Sequence, residues 1–468
     1  MKKYLAFALL LSSSCIGQQP SAKSLPDAPV PMIPSDLRVQ ITQVQTTGLQ
    51  TNSHILPASS LAVPSLTLAE AEKMARDHNP NISIAHLLQI AQAQFVREVR
   101  SGEMPNAFTD LTAVDAHNNS RLTAGALNNP IVYNRAAGGL TLRQLITDFG
   151  RTHNLVKNAQ SITQAQLETQ RATDEDITLA VDQAFYQALT AQSLLKVAQQ
   201  TLATRQATAE QIGALTSQKL RSTLDLSLAD VQVSQAQLLV LDARNSAQVA
   251  IASLNAILGS ENDDQYNLVD ETPANPQPTI TSTEDLVQLA FRSRPDLAAL
   301  NDRWLAARQF ASAEHDLMRP TISVLATAGG SPVRADQIQS SWYGGAGVNV
   351  SIPLFNGFAY SARAKEADFR AQAASEQIRD LRDTIARDVR SAVLSAQIAY
   401  QRIGVSHQLL DEANTSLELA QARYKVGLSG IVDLTQAQLA ETEAEIDYTN
   451  SRYAYQTALS VVRYQTGQ

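Results

Sequence analysis

The chain has 468 residues, which is enough for two or three domains or for one large repeated architecture. Its formal net charge is -8, and its 37 Lys and Arg residues are scattered along the chain rather than gathered into a stripe. Because proteins bind a phosphate backbone through clustered positive charge, this distribution argues against nucleic acid as a partner.

The first residues carry the pattern of a secretory signal peptide. The basic residues Lys2 and Lys3 precede an apolar run over residues 4–11, and three serines then lead to Cys15. We therefore predict a signal peptide over residues 1–17 and export from the cytoplasm. Cys15 is the only cysteine, so no internal disulfide forms, and it is either a lipid acceptor or simply part of the cleavage region.

Residues 18–64 are rich in Pro, Ser, Gln and Thr and show neither a helical nor a strand period. This composition predicts a disordered or surface-wrapped leader. Beyond the signal peptide the sequence has no apolar stretch of about 18 residues, the length that a transmembrane helix needs. If this chain crosses a membrane, the sequence predicts that it does so with strands.

The rest of the chain contains an internal repeat with a separation of about 208 residues, seen in the pairs Asp225 with Asp433 and Ala229 with Ala437. We predict a first repeat over residues 65–262, a linker over residues 263–282 and a second repeat over residues 283–468. The linker contains three prolines between residues 273 and 278, which exclude helix and central strand.

Each repeat opens with a short amphipathic helix that stops at a proline. The sequence Asn79-Pro80 marks this point in the first repeat, and Arg294-Pro295 marks it in the second. Because proline is accepted at the first position of a helix, each pair predicts the end of one helix and the start of the next.

Strand-like segments follow in each repeat, with apolar and small polar residues in alternation. A hydrophilic loop from Ser331 to Ser341 precedes Trp342 and Tyr343, an aromatic pair suited to a membrane interface. A soluble hairpin with one solvent-exposed face gives the same alternation. The segments around the strands therefore decide between a soluble hairpin and a membrane hairpin. The predicted strands are Ala107–Val114, Ala137–Leu145, Thr321–Ala328 and Ala346–Ile352.

The segments around the predicted strands are long helices. No Gly or Pro occurs from Arg151 to Ile212, and a helix of that length reaches on the order of 90 Å. Small and apolar residues recur at alternating steps of four and three, and this predicts a coiled coil with an alanine-rich seam. Such a seam favours a sheet or tube of many helices. The seam positions are Ile177, Val181, Ala184, Ala188, Ala191, Leu195, Ala198 and Leu202, then Ala229, Val233, Ala236, Val240, Ala243, Ala247, Ala250, Leu254 and Ile257.

Four strands are too few to close a membrane barrel, since the smallest single-chain barrels use about eight. Several chains must therefore share one barrel, with the long helices projecting from it around a water-filled bore. The predicted fold class is mainly α with membrane β, built from long α-helical coiled-coil hairpins plus four β-strands per chain, in two internal repeats.

Three motifs, in their order and spacing, resemble the TolC family of outer-membrane efflux proteins. They are Thr147-Asp148-Phe149-Gly150, Pro353-Leu354-Phe355-Asn356-Gly357 and Tyr424-Lys425-Val426-Gly427-Leu428-Ser429-Gly430-Ile431-Val432-Asp433. The resemblance spans about Leu66 to Tyr464. It implies a homotrimer in the outer membrane, with one twelve-stranded β-barrel and one periplasmic α-helical tunnel. It also implies a passive conduit from periplasm to exterior in a tripartite efflux or type I secretion system, with a periplasmic adaptor protein and an inner-membrane pump as partners.

The same resemblance implies functional residues at the periplasmic end. Asp433 matches a pore aspartate that would form a ring of three carboxylates, and Asp225 with Tyr424 matches a gate latch. The tip arginine of the family falls at Ser429, and its second pore aspartate falls at Gln436. The alternative for Asp225 and Asp433 is that each only caps a helix after its turn.

The turns of the two hairpins match the places where family members meet the adaptor. The second turn keeps Gly427, Leu428 and Ser429, whereas in the first turn Leu220 alone is kept. The alternative for the first turn is a plain solvated turn. The adaptor-contact residues implied in the first turn are Leu220, Arg221 and Ser222.

Enzyme motifs are missing from the sequence. The seven histidines lie singly, without metal-ligand spacing, and no Walker loop, HExxH or GxSxG sequence occurs. We therefore predict no catalytic residue, no metal site and no cofactor. The second candidate function is an elongated periplasmic coiled-coil adaptor or structural lipoprotein, which would not need two strand hairpins with aromatic residues.

Overall fold

The computed structural model describes residues 64–117, 134–260, 264–272, 282–334 and 340–468, all within the unit Ala62–Gln468. The helices in these ranges are α1 Leu68–His78, α2 Pro80–Arg100, α3 Arg151–Ser217, α4 Thr223–Leu258, α5 Thr283–Ser293, α6 Pro295–His315, α7 Ala359–Lys425 and α8 Ile431–Thr466. The strands in these ranges are β1 Ser65–Leu66, β2 Asn106–Val114, β3 Arg135–Thr147, β4 Asn267–Leu268, β5 Thr321–Arg334 and β6 Trp342–Ser351.

Two long helical hairpins dominate the fold. Helices α3 and α7 have 67 residues each, and their partners α4 and α8 have 36 each. At 1.5 Å per residue, a helix of this length reaches about 100 Å. The predicted alanine-rich seam is confirmed, because every seam position of α3 and α4 is buried or partly buried. Helix α3 also packs against α6 and α8, so the two hairpins form one helical layer.

The predicted proline starts are confirmed. Helix α2 begins at Pro80, after the cap Asn79, and α6 begins at Pro295. The Asn79 side chain accepts a hydrogen bond from the backbone N–H of Asn81 and donates one to the carbonyl of Ile257 at 2.8 Å. This side chain therefore fixes both the start of α2 and its position beside the end of α4.

The four longer strands form one antiparallel sheet in the order β2-β3-β5-β6. Ile322 pairs with Val350 and Val324 pairs with Val348, so their side chains share one face. The polar residue Asn349 faces the other way, opposite Ser323. The predicted alternation of apolar and polar residues therefore holds across β5 and β6 and gives this part of the sheet one mainly apolar and one mainly polar face.

Two details of the strand prediction are wrong. Residues 331–334, predicted as loop, continue strand β5, because Val333 and Arg334 pair with Ala136 and Arg135 of β3 beyond a bulge that contains Pro332. Trp342 and Tyr343 do not act as one aromatic pair, since neighbours in a strand point to opposite faces. Trp342 shares the apolar face with Val350, whereas Tyr343 lies on the polar face.

The structure adds a short parallel pair, β1 with β4. Strand β4 lies in the predicted linker, and its residue Asn267 donates to the carbonyl of Pro64 at 3.0 Å. The prolines of the linker, the predicted signal peptide with Cys15, and the predicted leader up to residue 63 lie outside the described residues. The boundaries of the two repeats stay a prediction.

In the described ranges, none of the helices contains an 18-residue stretch that is apolar enough to cross a membrane.

Candidate site at the hairpin tips

The two hairpins turn in the same way. We call residues 218–222 the first tip and residues 426–430 the second tip. At the first tip the backbone N–H of Leu220 donates to the carbonyl of Leu215 at 2.9 Å, and at the second Leu428 donates to Arg423 at 2.8 Å. Each turn needs one residue with positive φ, which is Gly427 at the second tip and Lys219, at φ 59°, at the first. A lysine in this region is strained, whereas glycine is not.

A small apolar cluster lies behind the tips and joins the two hairpins. It is built from side chains of α3, α4, α7 and α8, and it holds the first tip close to the second. Its buried members are Ala209, Ile212, Ala229, Tyr424, Ile431 and Leu434.

Tyr424, one residue of the predicted latch, is at the centre of this contact. Its side chain is buried at 5% exposure, and its hydroxyl group has no hydrogen-bond partner. Burial raises the pKa of the phenol, the positive charge of Arg221 lowers it, and the nearby carboxylate of Asp225 raises it. Asp225 therefore lies close enough to influence Tyr424, although the hydroxyl is not hydrogen-bonded in this chain.

Arg221 makes the direct contact to Tyr424. Its guanidinium donates to the backbone carbonyl of Tyr424, and its Cζ atom lies 4.2 Å from the centroid of the Tyr424 ring. The sequence could not reveal this pair, since the partners are 203 residues apart and one of the bonding groups is backbone. The only sequence signal was the departure of the first tip from the family pattern.

A second polar link joins the hairpins behind the cluster. The buried guanidinium of Arg205 on α3 donates to the side-chain carbonyl of Gln438 on α8, whose amide group lies 3.4 Å from the hydroxyl of Thr208. Burial lowers the pKa of Arg205, and Glu441 raises it. Buried polar groups of this kind are costly unless they are paired, so the link fixes the register of α3 against α8.

Asp433, the predicted ring residue, is exposed at the start of α8. It borders an open cleft of about 420 Å³ that Arg423, Ser429 and Gln436 also line. The hydroxyl of Ser429 is buried there without a hydrogen-bond partner. The cleft thus lies at the two positions, Ser429 and Gln436, where this chain departs from the family pattern.

The alternative role of Asp225 and Asp433, as helix caps, does not hold. The capping residue of α4 is Ser222, whose side chain accepts a hydrogen bond from the N–H of Leu224, and α8 follows Gly430. Each aspartate lies instead in the first turn of its helix, where a negative charge interacts favourably with the helix dipole.

The implied adaptor-contact residues fall into two groups. Leu220 and Leu428 are 65% and 73% exposed, and Gly427 lies beside the second of them. Arg221 and Ser222 have partners within the chain, and Ser429 is partly buried. In the described residues, no group of three His, Cys, Asp or Glu side chains is arranged to hold a metal ion.

The fold is that of solved outer-membrane channels. The CmeC outer membrane channel of Campylobacter jejuni superposes with a TM-score of 0.73 at 15% identity, over 86% of this chain and 85% of that one. The two chains therefore share a fold in which long helical hairpins are joined to a small antiparallel sheet.

The chain is also similar in sequence to outer-membrane proteins and to one protein family. The chain is 25% identical to the outer membrane protein TolC of Salmonella enteritidis over 423 residues, covering 86% of this chain and 83% of that protein. It is 23% identical to the alkaline protease secretion protein AprF of Pseudomonas aeruginosa over 357 residues, covering 74% and 72%. The profile of the outer membrane efflux protein family matches residues 72–260 and 286–468, and so the chain belongs to this family.

Proposed function

We propose that this protein is the outer-membrane channel of a tripartite efflux or type I secretion system, a passive conduit from the periplasm to the exterior. Membership of a channel family and relatives in both efflux and secretion support this function over an enzyme. The second candidate is a periplasmic coiled-coil adaptor or structural lipoprotein. Such a protein would not need a sheet with one apolar and one polar face.

The observation that carries the proposal is the open sheet. Its edge strands β2 and β6 have no further partner among the described residues, although their amide and carbonyl groups need one in lipid. Because β2 and β6 run in opposite directions, β6 of one subunit can pair antiparallel with β2 of the next. Three copies then close a twelve-stranded barrel with the apolar faces outward.

The helices of the same three copies would form the periplasmic tunnel. The equal lengths of α3 and α7, and of α4 and α8, support two repeats that contribute alike to the wall. The small seam residues let neighbouring helices approach closely, which suits a wall of many helices around a bore. The wall would end at the two tips.

At the entrance we assign closure to the tip residues. Three copies of Asp433 would form a carboxylate ring, and Asp225 with Tyr424 would form a latch. The exposed residues Leu220, Gly427 and Leu428 would meet the periplasmic adaptor, which links the channel to its inner-membrane pump. The exported substrate is then chosen by the pump and not by this chain.

Detergent extraction and bilayer recording test the proposed function. Membranes are washed with carbonate and high salt, extracted with detergent, and run on gels with and without heating. We expect the chain only in the detergent fraction, as a heat-dissociable trimer that conducts in planar bilayers. Release by carbonate or salt alone, or a stable monomer without conductance, would contradict the proposal.

A further inference from the structure

Arg221 has the same place in the first tip that Ser429 has in the second. Each lies four residues before an aspartate of its first helical turn, Asp225 or Asp433. Ser429 is also where the family pattern carries its tip arginine. This chain therefore has an arginine at the equivalent position of the other tip.

The contacts of Arg221 cross from one hairpin to the other. The Tyr424 carbonyl is near the end of α7 and also accepts a hydrogen bond from the N–H of Gly427 at 3.1 Å. A positive charge is favourable there, because the carbonyls that end a helix carry the negative pole of its dipole. The same guanidinium lies over the face of the Tyr424 ring.

Arginine is suited to this double contact. Its planar guanidinium can stack on an aromatic ring and donate a hydrogen bond at its edge, which a lysine ammonium cannot do together. Tyr424 is buried and Arg221 is half-buried, so water screens the contact only in part. The contact needs the ring and the carbonyl of Tyr424, and it does not need the hydroxyl.

We propose that Arg221 is a clamp between the two hairpin tips, which keeps the entrance of the channel closed independently of the Tyr424 hydroxyl. The inference rests on the proposed channel function. Outward movement of the second hairpin from the first must break the Arg221 contacts. Arg221 is thus a positioning residue of the gate, whereas the family resemblance alone implies a contact with the adaptor.

The test measures open probability in planar bilayers for Arg221→Ala and for Lys219→Gln, which removes an equal charge from an exposed residue of the same tip. Arg221→Ala is expected to raise the ratio of open to closed channel about tenfold, because a stacked, partly buried cation and its hydrogen bond are lost. Lys219→Gln should behave as wild type. Arg221→Lys should show a smaller rise than Arg221→Ala.

The Tyr424→Phe variant separates the Arg221 contact from the Tyr424 hydroxyl, because it removes the hydroxyl and keeps the ring and the carbonyl. Arg221→Ala should raise the open-to-closed ratio by the same factor in the wild-type and Tyr424→Phe backgrounds, with the trimer melting temperature unchanged. No effect of Arg221→Ala, an effect lost in Tyr424→Phe, or an equal effect of Lys219→Gln would overturn the clamp. A wild-type protein that does not conduct would instead reject the channel function.

Discussion

The ring of Tyr343 on β6 lies across Gly329, its paired residue on β5, and reaches Gly139 on β3. The two glycines leave a shallow groove on the polar face, and the aromatic ring covers it. Strand glycines pack poorly by themselves, and a cross-strand aromatic ring shields their backbone. The sheet thus depends on glycine at these positions for packing rather than for backbone conformation.

Gly329→Ala should therefore impair assembly of the sheet. The added methyl group would lie about 2.5 Å from the Tyr343 ring and would also meet the backbone carbonyl of Gly138, which cannot move aside. Gly345→Ala is the matched control, because its methyl group would meet no atom within 4 Å. The yield of heat-dissociable trimer measures both variants, and equal yields would show that Tyr343 adjusts without cost.

The register of β6 leads to a second prediction. Val350→Arg should reduce trimer yield more than Asn349→Arg, because Val350 lies on the apolar face and Asn349 on the polar face. A charge on the lipid face costs up to about 2–4 kcal/mol at the bilayer midplane and less towards the end of a strand, and a charge in the bore costs far less. Equal trimer yields for the two variants would contradict the assignment of the faces.

The sequence predicted the long elements well, since their signals are repeated many times. The seam of α3 needs only an alternating step of four and three, and each of its positions repeats the same information. Pro80 and Pro295 predicted helix starts because proline restricts the backbone locally, whatever the rest of the chain does. Strand ends such as Arg334 were missed because the pairing strand, β3, decides them.

The tip contacts were the least predictable part of the site. A family pattern names side chains by position, and it gave Tyr424 and Asp225 as a pair. The contact of Arg221 depends instead on how two hairpins meet in space and on a backbone carbonyl that any residue could supply. Periodicity and spacing carry no information about such a contact.

Glu175 predicts a dependence of stability on pH. Burial raises the pKa of this carboxyl group from 4.5 to about 7; Arg294 opposes the shift, and Asp296, Asp176 and Asp174 add to it. Because the folded state disfavours the charged form, the free energy of unfolding should decrease as the pH rises from 4.5 to about 7. Below this range the Glu175 carboxyl group is protonated in both the folded and the unfolded state, so no charge has to be buried on folding.

Glu175→Gln removes this titration and keeps the shape of the neutral side chain. The variant should unfold at a higher temperature than wild type at pH 8, and the difference should vanish near pH 4. Thermal unfolding followed by circular dichroism at both pH values measures this, with Glu418→Gln, an exposed carboxylate on α7, as the control. A constant difference across the pH range would rule out Glu175 as the titrating group.

Asp433→Asn tests the proposed carboxylate ring. Three exposed carboxylates around one axis would attract cations and repel one another, so divalent or trivalent cations added on the periplasmic side should bind there and reduce conductance. The variant removes all three charges, and it should lose both cation selectivity and cation block in planar bilayers. Because Ser429 and Gln436 bring no further charge to the cleft, we expect block to be weaker than in a channel with a second carboxylate.

Asp447→Asn is the control for this experiment, because it removes another exposed carboxylate from the same helix, about 20 Å farther along α8. It should leave selectivity and block as in the wild type, since a charge outside the constriction acts on ions only through screened interactions. If Asp433→Asn and Asp447→Asn change the block alike, the general charge of the helix attracts the cations. If neither changes it, Asp433 serves only to stabilise the first turn of α8, and the ring must be withdrawn.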